Sequence, residues 1–135
     1  MPLKLKKGVK ELVAEANAEI QTITAADAVK LKSDPNVVLV DLRDIRELNR
    51  DGRVPGAFHA PRGMLEFWVD PESPYYKEIF GSGKKFVFFC AGGMRSALAA
   101  QAVQRMGLEP VCHIEGGFRA WKEAGGPVES AKQEF

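Results

Sequence analysis

Apolar positions follow two periods along this chain. Val9, Leu12, Val13, Ala16 and Ile20 recur at helical spacing and predict an amphipathic helix ahead of everything else. Val37 to Val40 is a continuous apolar run, the pattern of a strand buried on both faces of a parallel sheet. Lys85 to Phe89 reads the same way and is the predicted central strand, and Val111 to Ile114 is the last. Ile20 to Ile23 and Gly56 to Ala60 are shorter extended pieces. Helices fall between them. Thr24, with Asp27 three residues on, caps one that runs to about Ser33, before an Asp34-Pro35-Asn36 turn. Others are predicted over 45–50, 62–70, 75–80, 95–106 and 118–124, with Gly52 and Gly107 as stops. Strands alternating with helices on short links predict an α/β three-layer fold: a mostly parallel central sheet flanked by helices.

This pattern divides the chain into an N-terminal helical extension (1–19), one domain (20–128) and a frayed tail (129–135). The extension either packs on its own domain or contacts a second copy, so the expectation is a monomer or a homodimer. Segment 62–82, with Phe67 and Trp68, either packs in the core or walls a pocket ahead of the central strand.

Composition narrows the function classes. A 135-residue chain, 45% hydrophobic, is one ordinary globular domain. A net charge of +1 predicts no nucleic acid and no anionic membrane as partner. Met1 to Lys10 is basic but leads into no apolar stretch, and no run approaches about 18 apolar residues, so neither a signal peptide nor a membrane span is expected. Two cysteines do not make a disulfide scaffold, which favours a reducing compartment, the cytoplasm. His59 and His113 are isolated, and no metal site is expected.

The chemistry concentrates where the central strand stops, at Cys90-Ala91-Gly92-Gly93-Met94-Arg95-Ser96. A thiol between a strand end and a helix start lies where unpaired N–H groups and the helix dipole favour the thiolate, which is the nucleophile. Gly92 and Gly93 allow backbone angles that turn successive amides toward one point. Arg95 offers a cationic fork for an oxyanion, and Ser96 a helix cap or one more hydrogen bond to the sulfur. Cys90 is the predicted nucleophile, with Ala91, Gly92, Gly93, Met94, Arg95 and Ser96 as the substrate-binding loop. Asp41 and Arg43, at the end of another strand, are the predicted supporting pair, with Asp41 more a holder of backbone or of Arg43 than a reactant. Cys112 reads as a small core residue and Arg53 and Arg62 as solvated surface.

Four residues separate Cys90 from Arg95. Cysteine phosphatases use Cys-x5-Arg, a larger ring around a tetrahedral phosphate, whereas a shorter ring suits one sulfur atom. This loop resembles that of the rhodanese family of sulfurtransferases. Val38-Leu39-Val40-Asp41-Leu42-Arg43 is similar to that family's first signature and Gly52-Arg53-Val54-Pro55-Gly56-Ala57 to its second, with Arg53 in place of a histidine. Ile114-Glu115-Gly116-Gly117-Phe118-Arg119-Ala120-Trp121 is similar to the closing signature. The resemblance implies transfer of a sulfane sulfur from thiosulfate or a persulfide to cyanide, a thiol or a protein acceptor, through a Cys90 persulfide and with no cofactor. It also implies weak thiosulfate use. Ala91-Gly92-Gly93-Met94 lacks the Arg and Lys that follow the cysteine in thiosulfate-specific enzymes, and Glu47 stands where those place a second substrate arginine. The alternatives are a non-catalytic binding module, a sulfur carrier for a protein partner, and a phosphatase or arsenate reductase of related fold.

Overall fold

A computed structural model describes residues 2–131. The five strands are β1 (Gln21–Ile23), β2 (Val37–Asp41), β3 (Phe58–His59), β4 (Lys85–Phe89) and β5 (Val111–Ile114). They form one sheet in the order β1-β5-β4-β2-β3, with every pairing parallel and β4 in the middle. The helices are α1 (Val9–Glu19), α2 (Ala25–Leu31), α3 (Ile45–Asp51), α4 (Leu65–Val69), α5 (Met94–Met106) and α6 (Gly117–Glu123).

Alternation along β4 builds two cores. Phe86 and Phe88 point to one face, against Ala97, Ala100 and Val103 of α5, with Ala16 of α1 and Leu65 of α4 in the same cluster. Val87 and Phe89 point to the other, with Cys112, Ala28 of α2 and Phe118 and Trp121 of α6. Small residues on α5 let that helix lie close to the sheet; Ala97, Ala99 and Ala100 are fully buried.

α1 packs on its own domain. Ala16 and Ile20 are buried, and Glu19 is held by Gln101 and Arg105 of α5 (3.0 and 3.1 Å). Thr24 caps α2 as the spacing predicts, accepting from the Asp27 amide at 3.1 Å.

Three expectations change. The helix predicted over 75–80 shrinks to a 3₁₀ turn at Glu78–Gly81, because Ser73 takes the Tyr75 and Tyr76 amides into a turn after Pro71. The 62–70 helix splits into a 3₁₀ turn at Arg62–Met64 followed by α4. Trp68 packs edge-on to Phe58, Phe67 lies exposed against Tyr75, and the segment borders a cavity with Met106 and Leu108, away from Cys90. The frayed tail does not begin at 129. Glu129 exchanges both backbone bonds with Arg53 at 2.9 Å, and their side chains pair at 2.9 Å, so Arg53, exposed as expected, also acts as a tether. Residues 132–135 of that predicted tail lie outside the described residues. No helix among the described residues is long and apolar enough to cross a membrane.

Candidate active site

Cys90 follows β4 directly, and the chain turns into α5 through Gly93, whose φ of +105° is open to glycine. The turn aims two amides at the sulfur. Gly93 N–H donates to Cys90 Sγ at 3.2 Å and Ser96 N–H at 3.4 Å. Both belong to the unpaired first turn of α5, so the thiol occupies the place of a capping group. Only Gly93 needs glycine for its backbone; Gly92 has an ordinary φ, and a Cβ there would meet open space.

The loop carbonyls are held away from the sulfur by α6. Phe118 N–H donates to Cys90 O at 2.7 Å and Arg119 N–H to Ala91 O at 3.2 Å. This close approach explains Gly117: its φ is +59°, and a Cβ would collide with the carbonyls of Cys90 and Ala91. The Gly-Gly start of α6 is thus a clamp on the Cys90 loop.

Arg95 is already engaged. Its guanidinium makes a two-pronged pair with Glu47 of α3, at 2.7 and 3.0 Å. Glu47 also accepts from the Asp44 amide, closing the capping box of α3. The Arg95 hydrogen bond holds the Glu47 carboxyl below its ordinary range, and Glu47, with a smaller contribution from Cys90, raises Arg95. The predicted fork lies by the sulfur, with its donors turned to a carboxylate.

Asp41 and Arg43 do not touch the sulfur. Both are 1% exposed and paired with each other, the shortest contact being Arg43 Nη2 to Asp41 Oδ2 at 2.8 Å. Arg43 also donates to Gly52 O at 2.9 Å and lies 4.0 Å over the Phe118 ring. The pair fastens β2 to the start of α6, and through α6 to the Cys90 loop. His59 reaches Arg43 O at 2.6 Å.

One buried polar residue beside the loop was not singled out in the sequence. His113 is 3% exposed and sits between Ser96 and Asn17: its Nδ1 is 2.9 Å from Ser96 Oγ and its Nε2 2.9 Å from Asn17 Oδ1. Ser96 Oγ is 3.6 Å from Cys90 Sγ. Burial lowers the pKa of His113 below its ordinary value. The available signal was register: on β5 the histidine faces away from Cys112 and toward α5. Cys112 lies in the opposite core, and burial pushes its thiol up.

Two cavities flank the loop. One of about 430 Å³ is lined by Val13 and Asn17 of α1 with Gly92, Met94, His113 and Glu115. The other, about 340 Å³, is lined by Arg43, Asp51, Ala91, Gly92, Arg119 and Lys122. Gly92 borders both. Cys90 itself is 1% exposed, so the loop covers the thiol more completely than a freely reachable nucleophile requires.

Residues 24–124 match the model of the rhodanese-like domain. YtwF of Bacillus subtilis, a candidate sulfurtransferase by name, is 32% identical over 105 residues, covering 77% of this chain and 92% of that one. Among solved structures, RPA3614 of Rhodopseudomonas palustris, a protein of unknown function described as a possible tyrosine phosphatase, is 59% identical with a TM-score of 0.92, covering 96% of this chain and 99% of the other. The polysulfide-sulfur transferase homodimer of Wolinella succinogenes is 31% identical with a TM-score of 0.67, covering 93% and 90%.

Proposed function

Because the chain belongs to the rhodanese-like family, we propose that it moves a sulfane sulfur from a donor to a thiophilic acceptor through a persulfide on Cys90. The observation that carries this is the pair of main-chain amides, Gly93 and Ser96, directed at a thiol at the end of the central strand. Written with a persulfide donor, Cys90–SH and R–S–SH give Cys90–S–SH and R–SH. One S–S bond forms as another breaks, and no external oxidant or cofactor enters. The loop of Ala91, Gly92, Gly93, Met94, Arg95 and Ser96 then shelters the added sulfur, with its amides facing the extra charge. A second thiophile completes the turn: cyanide in an assay, a thiol or a protein thiol in a reducing cytoplasm. The test is mass spectrometry after a persulfide or polysulfide donor. A gain of about 32 Da on Cys90, one sulfur atom, is expected in the wild type and none in Cys90→Ser. A chain that stays unmodified and transfers nothing would leave only a binding module.

Donor choice follows from Glu47. Its carboxylate occupies the Arg95 donors and adds a negative charge beside the site, which opposes an anionic donor such as thiosulfate. The expected kcat/KM is higher for a persulfide than for thiosulfate, and Glu47→Gln should narrow the gap by improving thiosulfate.

A second reading, phosphate-ester cleavage, is favoured by the description attached to RPA3614. Against it, only four residues lie between Cys90 and Arg95, a small ring whose arginine is turned to a carboxylate. Aryl phosphate turnover dependent on Cys90 would establish that reading in place of sulfur transfer.

A further inference from the structure

A buried line of polar groups leads from the thiol out to the N-terminal helix. Cys90 Sγ, Ser96 Oγ, His113 and Asn17 Oδ1 stand in sequence at 3.6, 2.9 and 2.9 Å. The direction of each bond can be read from the acceptor at the far end. Asn17 presents its Oδ1 to Nε2, so the ring proton is on Nε2 and Nδ1 is an acceptor. The Ser96 hydroxyl has one proton, and Nδ1 is its nearer acceptor; the alternative, Gly93 O, is at 3.4 Å. Oγ is then free to accept from the Cys90 S–H. Every link points the same way, from sulfur to imidazole.

We propose that Ser96, His113 and Asn17 form a proton relay that takes the Cys90 thiol proton as the sulfur attacks its donor, with His113 and Asn17 as positioning residues acting through Ser96. The inference rests on Cys90 being the sulfur-transfer nucleophile. As the Cys90–S bond to the donor's outer sulfur forms, the thiol proton passes to Ser96 Oγ and the hydroxyl proton to His113 Nδ1. The donor's S–S bond breaks, and its thiolate recovers one proton from the imidazolium or from water, so charge and atoms balance. Asn17 keeps Nε2–H satisfied in both states. Burial keeps the resting ring neutral and able to accept. Charged groups on the surrounding elements leave the ring alone: Lys10, Glu11, Glu15 and Glu19 on α1, Lys85 on β4, Arg95 and Arg105 on α5, and Glu115 beside it at the cavity wall make no hydrogen bond to it. Asn17 stands outside the matched 24–124 segment, so α1 supplies the relay's last group.

The experiment follows the rate of the sulfur adduct on Cys90 against pH, with a persulfide donor, in the full chain. His113→Ala should slow loading by about 10²-fold, and free imidazole, entering through the cavity beside His113, should restore part of it. Asn17 is exposed and its variants leave the core untouched. Asn17→Asp stabilises the imidazolium and should move the acidic limb of the profile up by about one pH unit; Asn17→Ala withdraws the acceptor and should move it down. A purely structural role produces no such opposed shifts. Unchanged limbs in both Asn17 variants, or a His113→Ala enzyme that folds and loads at the wild-type rate, would overturn the relay. Absence of any adduct in the wild type would instead overturn the sulfur-transfer reading, a separate result.

Discussion

The loop around the thiol has one unhindered position, Gly92. That residue borders both cavities, carries no side chain, and has room for one. Its φ is not positive and a Cβ meets open space, so Gly92→Ala is expected to keep the fold and, by restricting the unfolded chain, to raise stability by up to about 1 kcal/mol. The added methyl narrows the way to a thiol that is 1% exposed. Alkylation of Cys90 by iodoacetamide is expected to slow roughly tenfold, equivalent to about 1.4 kcal/mol of barrier, while Tm holds or rises. Equal alkylation rates would show that donors reach the sulfur by another path. The loop's residue types were legible in the sequence as strand, Cys, Gly-Gly, Arg and helix. The role of each glycine was not, because φ and open space are properties of the folded turn. Nor was the partner of Arg95, since Glu47 lies far away along the chain and only the packing of α3 against α5 brings it within 2.7 Å. His113 was passed over for a similar reason: a lone histidine in an apolar strand gains its meaning from Ser96 and Asn17, 17 and 96 residues away.

At the scale of elements, β2 and α6 are joined by the Asp41–Arg43 pair, and α6 in turn clamps the loop. Arg43→Met leaves a buried carboxylate without its partner and should destabilise by about 3–5 kcal/mol, measured as a lower urea midpoint at unchanged slope. β5 adds a pH dependence through His113. Its pKa is depressed in the fold by burial, so the unfolded chain binds the proton first as acid is added. The stability this group confers is fully present above the ordinary value of 6.5 and falls as pH drops below it toward the depressed folded value. His113→Asn should flatten that part of the stability curve. Most elements were readable beforehand: Thr24 as a cap, the apolar runs of β2 and β4, and Gly107 as a stop all act as their residue types require. The region 62–82 was not, because Met64, Leu65, Phe67 and Trp68 stand too close together to form one helical stripe, and Pro71, Ser73 and Pro74 divert the backbone into turns.

The whole molecule brings these parts to one edge. With all five strands parallel, the carboxyl ends of β2, β4 and β5 emerge together, carrying Asp41, Cys90 and the Gly116-Gly117 turn to the same side. β4, the middle strand, carries the thiol at its carboxyl end between β5 and β2. This arrangement was foreseeable from alternating strands and helices. The contribution of α1 to the site was not, because periodicity says that a helix exists and leaves open where it docks.

Trp121 offers a consequence of a different kind. Its indole is fully buried, its Nε1–H donates to Pro127 O at 2.9 Å, and it sits on the helix whose first amides grip the Cys90 and Ala91 carbonyls. The chain's other indole, Trp68, lies on the far core beside Phe58. Replacing Trp68 by Phe would leave a single tryptophan, mechanically linked to the sulfur's cradle. Arrival and departure of one atom at Cys90 should then be visible as a change in emission, in real time and without any dye.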